Sequence, residues 1–329
     1  MTTPLLRLSG LEVSYGSATV VHGVDLTVRR GHRVAIVGES GSGKSTTAAA
    51  AIGLLPGAGR VTGGTIEFDG EDVTAAGEKR LRGLRGRQIG LVPQDPMSNL
   101  NPVARVGRQI AETLVMHGLA RGRAARERAV ELMTEAGIPD AARRARQYPH
   151  EFSGGMRQRA MIGMGLMGQP KLVIADEPTT ALDVTVQRQV LRLLARTREA
   201  EGAAILLISH DIAVVSQTCE RMLVMYAGRV VEDLPTGSPA QHPYTRALLA
   251  TTVDLDTDRD EPLEVIPGRP PEPDQVPDGC AFAARCPLAS DRCRTEDPAL
   301  EPAAEGHRVA CWHPQVSVLS GQSHEEGAA

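Results

Sequence analysis

Residues 38–45 of this 329-residue chain read Gly-Glu-Ser-Gly-Ser-Gly-Lys-Ser, a glycine-rich turn that ends in lysine and serine. The apolar run 33–37 precedes the turn and an alanine-rich segment follows it, which predicts a strand, a loop and a helix in that order. Glycines let backbone N–H groups surround a phosphate, and the start of the helix adds partial positive charge. We therefore expect Lys44 to neutralise charge on bound phosphates and Ser45 to ligate Mg²⁺.

A second motif places two carboxylates at the end of a strand. Residues 172–177 read Leu-Val-Ile-Ala-Asp-Glu, an apolar run that ends in Asp176 and Glu177. Open α/β sheets bind ligands at this edge, so Asp176 is predicted to hold Mg²⁺ and Glu177 to orient or deprotonate an attacking water. Alone, the pattern is typical of many strand-to-loop boundaries. After a phosphate-binding loop it predicts nucleotide hydrolysis.

Further motifs resemble those of one family. Residues 152–159, Phe-Ser-Gly-Gly-Met-Arg-Gln-Arg, resemble the signature motif of ABC ATPases, although Met156 stands where most of these proteins have glutamine. Four more positions resemble motifs of the family and follow its order along the chain: Tyr15 the adenine-stacking aromatic, Gln94 the Q-loop, Asp183 in Ala181-Leu182-Asp183 the D-loop, and His210 the switch histidine. Together these motifs cover residues 1 to about 235.

The resemblance implies a head-to-tail dimer that binds ATP between the phosphate-binding loop of one chain and the signature of the other. It assigns catalysis to Glu177, His210 and Gln94, and Mg²⁺ to Ser45, Gln94 and Asp176. The residues that it implies for nucleotide binding are Tyr15, Gly38, Ser40, Gly41, Ser42, Gly43, Lys44, Ser45, Thr46, Gln94, Ser153, Gly154, Gly155, Asp176 and Asp183.

Local sequences narrow the resemblance to ATPase subunits of oligopeptide and dipeptide importers. They are Gln94–Pro102, His242–Thr245 and the tail segments Gly279–Phe282 and Arg285–Pro287. Met156 and the Thr-Thr pair after Pro178 resemble the D-type subunit. The resemblance implies a second related ATPase, two membrane permeases and an extracytoplasmic substrate-binding protein as partners, at the cytoplasmic face of the membrane. Nickel or glutathione importers share these features, and a soluble ABC ATPase acting on nucleic acid or ribosomes is the more distant alternative.

The expected fold is an α/β P-loop NTPase, an ABC-type nucleotide-binding domain with a RecA-like core. Residues 1–235 are assigned to this domain, with one helix expected before residue 97 and a helical subdomain at about 98–160. Residues 236–329 form a small irregular C-terminal region rich in proline and cysteine, in which 254–275 reads as a loop or linker. Residues from about 317 onward are expected to be disordered.

Four of the five cysteines, Cys280, Cys286, Cys293 and Cys311, lie in the C-terminal region. Their spacing does not match the paired cysteines of a zinc ribbon, but four thiolates can hold an iron–sulfur cluster. Some members of the resembled group carry a [4Fe–4S] cluster here, so we expect one. Zinc, with His307 or His313 as further ligands, and reduced thiols packed around Phe282 and Trp312 remain alternatives. Cys219 is expected to be a plain buried thiol.

Composition sets further bounds. Hydrophobic residues make up 41 % of the chain, aromatic residues 2 %, and the net charge is −4. A slightly acidic chain with scattered arginines does not predict a nucleic-acid partner. No signal peptide or membrane-spanning run is apparent, so membrane contact is expected to come through the partners.

Overall fold

The computed structural model describes residues 3–179, 184–251 and 265–315. Within these ranges the strands form two sheets, of four and eight strands. The smaller sheet is antiparallel, with the order β2-β1-β4-β5. Its strands are β1 Leu6–Tyr15, β2 Ala18–Val28, β4 Gly59–Phe68 and β5 Glu71–Asp72.

The larger sheet carries the predicted nucleotide motifs. Its parallel strands stand in the order β9-β3-β8-β7-β6, so β3 lies between two strands that come later in the chain. They are β3 Arg33–Val37, β6 Ile89–Val92, β7 Leu172–Asp176, β8 Ala204–Ser209 and β9 Arg221–Tyr226. Antiparallel strands extend the sheet beyond β9: β10 Arg229–Pro235, β12 His307–Val309 and, at the edge, β11 Glu301–Ala304.

The parallel strands are buried on both faces, which explains why their sequences are apolar runs. Side chains alternate between two cores, as the period of two along a strand requires. In β3, Val34 and Ile36 pack with the smaller sheet, whereas Ala35 and Val37 face the helices on the other side. The predicted α/β P-loop fold is confirmed.

The helices cover the larger sheet and form a group between β6 and β7. Their bounds are α1 Lys44–Ala51, α2 Glu78–Leu84, α3 Pro96–Asn99, α4 Val106–Met116, α5 Gly122–Glu135, α6 Ala141–Arg144, α7 Gly154–Leu166, α8 Val184–Glu201, α9 Ile212–Thr218, α10 Pro243–Ala250 and α11 Asp291–Thr295. Short 3₁₀ turns lie at Pro149–Glu151 and Ala283–Arg285. Ile110 of α4 and Leu132 of α5 are buried in the same core as Ala35 and Val37 of β3.

The expectation of one helix before residue 97 is wrong, because α2 also lies there. This helix has seven residues, too few for a helical period to be recognised in the sequence. Its end is held by Arg85, whose Nη1 donates to Glu78 Oε1 at 2.9 Å and whose Nε donates to the Ile52 carbonyl at 2.8 Å.

The C-terminal region is attached to the larger sheet. Asp233 of β10, 2 % exposed, accepts hydrogen bonds from Arg221 of β9 and from Arg308 of β12. Glu232, fully buried, pairs with His307 at 2.8 Å. Residues 265–275 form no helix or strand, as predicted for that part of the loop, whereas 254–264 and the tail from 317 lie outside the described residues. None of the helices in the described ranges is long and apolar enough to cross a membrane.

Candidate nucleotide-binding site

The phosphate-binding loop lies between β3 and α1. Gly43 caps the helix with φ of 94°, and Gly38 has φ of 149°, both values that favour glycine. A Cβ at Gly38 would lie 2.2 Å from the carbonyl oxygen of Met225, so no side chain fits there. Ser40 and Gly41 are exposed, whereas Ser42 is buried and its hydroxyl has no hydrogen-bond partner among the described residues.

Lys44 is buried beneath this loop. Its ammonium donates to the carbonyl oxygens of Gly38 at 2.9 Å and Glu39 at 2.8 Å. Burial lowers the pKa of Lys44, and nearby carboxylates, that of Glu177 foremost, act against the shift. The carbonyl oxygens of the loop therefore stabilise the positive charge of the buried Lys44 ammonium.

The two carboxylates after β7 reach the same place. Asp176 Oδ1 accepts a hydrogen bond from Ser45 Oγ at 3.0 Å, which joins the second strand motif to the loop. Burial raises the pKa of Asp176, while Ser45 and Lys44 lower it. Glu177 has φ of 45°, a left-handed conformation that is uncommon outside glycine and that clusters at functional sites.

The side chain of Glu177 also contacts residues that follow β6 and β8. Its Oε2 accepts from Gln94 Nε2 at 3.0 Å and lies 3.3 Å from His210 Nδ1. Gln94 follows β6 and His210 follows β8, so three strand ends deliver these side chains to one edge of the sheet. The structure thus brings together Lys44, Ser45, Asp176, Glu177, Gln94 and His210, as the sequence predicted for neighbouring strand ends.

The signature residues lie at the start of α7. Ser153 caps this helix, with its hydroxyl accepting from the Met156 N–H at 3.3 Å. A Cβ at Gly154 would meet no atom within 4 Å, so the helix start is open. Gln158 is buried and donates to the Pro178 carbonyl at 2.9 Å, which ties α7 to the residues after Glu177. Sequence reasoning missed Gln158, although it lies within the signature.

Of the three remaining predicted positions, the structure describes Tyr15 and Thr46. Tyr15 ends β1 with its ring against Gly59, where a Cβ would lie 2.7 Å from ring carbons. Thr46 lies in the first turn of α1. Asp183 lies outside the described residues.

The loop has a neighbour that the motifs did not predict. Arg285, from the C-terminal region, forms a two-point ion pair with Glu39, with Nη1 2.6 Å from Oε2 and Nη2 3.1 Å from Oε1. Tyr244 accepts a hydrogen bond from the Glu39 N–H at 2.9 Å. Both residues lie in segments whose sequence indicated a subfamily, but nothing in the sequence indicated this contact.

The four C-terminal cysteines lie near one another and form no disulfide. Burial foremost, together with the nearby thiols of Cys280, Cys286 and Cys293, raises the pKa of Cys311 to about 11. Backbone N–H groups two residues onward point at two of the sulfurs: Leu288 donates to Cys286 at 3.4 Å and His313 to Cys311 at 3.3 Å. Within the described ranges, no group of three or more His, Cys, Asp or Glu side chains is arranged to hold a metal ion.

The histidines of the zinc alternative have other partners. His307 is paired with Glu232, and His313 Nε2 lies 2.9 Å from Ser290 Oγ. Cys219 is buried and burial raises its pKa to about 11, as expected of a plain thiol.

A glycine-rich loop between a strand and a helix, a carboxylate pair at the next strand end, and a signature helix beside them define an ATP-binding cassette ATPase. Comparison with solved structures agrees: a dimeric post-hydrolysis ATP-binding cassette bound to ADP and Pi covers 71 % of this chain and 100 % of its own, with 28 % identity and a TM-score of 0.64. The structure of cbiO1 of Clostridium perfringens, part of the ABC transporter complex cbiONQ, has 27 % identity and a TM-score of 0.60, over 71 % of this chain and 89 % of its own.

Sequence comparison places the chain within that class. The ABC transporter family matches residues 21–180, and the oligopeptide/dipeptide transporter C-terminal region matches residues 237–293. The dipeptide transport ATP-binding protein DppD of Escherichia coli is 43 % identical over 94 % of this chain and 97 % of its own length. A probable peptide ABC transporter ATP-binding protein of Sinorhizobium fredii is 45 % identical over 94 % of each chain. The chain belongs to the ATP-binding subunits of oligopeptide/dipeptide ABC transporters.

Proposed function

We propose that this chain binds MgATP at the loop 38–45 and hydrolyses it with Glu177 as the base, to energise the import of peptides. The convergence of Lys44, Ser45, Asp176 and Glu177 at one sheet edge is the observation that carries the proposal. As an ABC-type ATPase of a peptide transporter, the chain supplies the transporter with the free energy of hydrolysis.

Each side chain at that edge has a role that its position supports. Lys44 binds the β- and γ-phosphates, and Ser45, Asp176 and Gln94 hold Mg²⁺ directly or through water. Mg²⁺ neutralises phosphate charge when it is bound. Glu177 removes a proton from the attacking water, and His210, 3.3 Å from its carboxylate, contacts the γ-phosphate.

The second half of the site comes from another ATPase. Ser153 and the open backbone at Gly154, followed by Gly155, offer donors to an anion at the start of α7. A similar cassette was solved as a dimer with ADP and Pi, which supports the composite site. In this arrangement Tyr15 stacks on adenine. We infer that the partner is a second, related ATPase, as the resemblance to peptide importers implies.

The substrate class follows from the relatives. DppD of Escherichia coli is named for dipeptide transport, and a second Escherichia coli relative, 46 % identical over 97 % of this chain and 100 % of its own, is named for D,D-dipeptides. We infer a D-type subunit that works with two permeases and an extracytoplasmic binding protein at the cytoplasmic face of the membrane. Exposed apolar side chains of the helical group, among them Val103 and Met116, are candidates for the permease contact.

Reconstitution tests this function. The chain is co-expressed with candidate permeases and a candidate second ATPase, and dipeptide-stimulated ATP hydrolysis is measured in vesicles with a candidate binding protein. We expect stimulation by dipeptides that is lost in Lys44→Ala. Stimulation by nickel or glutathione instead of peptides would favour the alternative substrates. Full-rate hydrolysis by the monomer alone would contradict the composite site.

For the C-terminal cysteines we propose that Cys280, Cys286, Cys293 and Cys311 hold one [4Fe–4S] cluster. The four thiols lie within electrostatic reach of one another, and N–H groups aimed at sulfur stabilise thiolate charge. Four thiols match the four ligands that a cubane cluster requires. The cluster supplies a cross-link to a region with few apolar side chains.

Anaerobic purification tests this assignment. We expect a brown protein with absorption near about 400 nm and roughly four irons per chain. Cys286→Ser should remove both, whereas Cys219→Ser, a thiol outside the group, should remove neither. One zinc per chain, or colourless metal-free protein with full activity, would refute the cluster.

A further inference from the structure

Arg285 is a buried arginine that reaches the nucleotide loop from the far end of the chain. Its side chain is 4 % exposed, and its ion pair with Glu39 spans 246 positions of sequence. Two-point pairing between a guanidinium and a carboxylate fixes direction as well as distance. The C-terminal region is therefore rigidly joined to the second residue of the loop.

Glu39 is held by more than its side chain. Its N–H donates to Tyr244 Oη at 2.9 Å, and its carbonyl oxygen accepts from Lys44 Nζ at 2.8 Å. One residue thus contacts both the lysine of the phosphate site and the C-terminal region. Any displacement of Glu39 moves a backbone carbonyl that positions Lys44.

Arg285 is itself fixed by its surroundings. Its Nε donates to the Pro267 carbonyl at 2.8 Å, and its Nη1 lies 3.2 Å from Tyr226 Oη. The rings of Tyr226 and Phe282 lie 5.7 and 5.8 Å from the guanidinium carbon. A buried charge with this many acceptors is costly to move, so it serves as a firm point of attachment.

We propose that Arg285 and Tyr244 are positioning residues for ATP binding, acting through Glu39. They hold the loop 38–45 in the shape that presents its amides and Lys44 to phosphate, without touching the nucleotide. The C-terminal region of this chain thereby serves the ATP site as well as its own fold. This inference rests on the proposed binding of ATP at the loop.

Nucleotide affinity tests the inference. The dissociation constant for ATP is measured with the full chain for wild type, Arg285→Gln, Tyr244→Phe and Glu39→Gln. We expect a rise of about tenfold for Arg285→Gln, since a charge-assisted bond is lost, and about threefold for Tyr244→Phe, which loses one neutral hydrogen bond. Because both act through Glu39, Arg285→Gln should add less than about twofold in the Glu39→Gln background.

Arg308→Gln provides a matched control. Arg308 lies in the same region and pairs with a buried carboxylate, Asp233, at 2.7 Å, but its contacts do not include the loop. Its dissociation constant for ATP should equal that of wild type. Thermal unfolding of every variant identifies those that fail to fold. If Arg285→Gln fails to fold, Tyr244→Phe, which loses only a hydroxyl, still tests the inference.

Three results would overturn the positioning role: an unchanged dissociation constant in folded Arg285→Gln and Tyr244→Phe, an equal rise in Arg308→Gln, or additive effects in the double variant. Failure of the wild-type chain to bind ATP would instead contradict the proposed function. The two failures are therefore distinguishable.

Discussion

Glu177→Gln removes the proposed base while leaving its shape. Glu177 accepts from Gln94 Nε2 at 3.0 Å and lies 3.3 Å from His210 Nδ1, so two neighbouring side chains hold its carboxylate in place. A glutamine keeps the length and one acceptor oxygen but cannot take up a proton. Loss of a general base costs about 10²–10⁴ in rate. This corresponds to about 2.7–5.5 kcal/mol of transition-state stabilisation.

Binding should respond in the opposite way. The substitution removes a negative charge near a polyanionic ligand, so the affinity for ATP should be equal or higher. We therefore expect kcat of the assembled transporter to fall at least about 10²-fold while the dissociation constant for ATP does not rise. Phosphate release from the reconstituted complex gives the rate, and equilibrium binding to the full chain gives the affinity.

The control for this change is Glu220→Gln. Glu220 pairs with Arg33 at 3.5 Å and with His32 at 3.2 Å, at the amino ends of the parallel strands and away from the loop. The kcat of a transporter that carries Glu220→Gln should stay near that of wild type. A Glu177→Gln transporter that turns over within about threefold of wild type would refute the assignment of the base.

Two further predictions concern the loop and the C-terminal attachment. Gly38→Ala should lower ATP affinity at least about tenfold and lower the Tm, because its Cβ would lie 2.2 Å from the Met225 carbonyl oxygen. Normal ATP binding by this variant, measured by titration, would contradict the close approach. Burial lowers the pKa of His242 to about 3, below the unfolded value, so the stability it contributes is present above about pH 6.5 and is lost as pH falls toward 3. His242→Asn, which can still cap α10, should show a flatter loss of stability over that pH range in denaturant titrations, and an unchanged slope would refute the role of this histidine.

Local motifs predicted much of the catalytic edge. The runs 33–37, 172–176 and 204–208 are strands because they are apolar and short, and parallel strands place their carboxyl ends together. Lys44, Asp176 and His210 could therefore be assigned to one site without knowing the order of the strands.

What the sequence could not predict depends on distant pairs. Nothing local indicates that Arg285 faces Glu39, or that β12 pairs with β10 through Glu232 and Val309. The cysteine-rich region was expected to be irregular, and its elements are short, but its hairpin extends the large sheet. Such contacts are selected by packing in three dimensions, which a single sequence does not display.

The contact between Arg285 and Glu39 also sets an order of events during synthesis. A ribosome adds about 5–20 residues per second, so the 246 positions between the two residues take about 12–50 s to emerge. During that time the loop is present on the nascent chain without its ion pair to Arg285, although the residues of β3 and α1 are already translated. The nucleotide loop is thus translated early, whereas its contact with Arg285 can form only after most of the chain has been made.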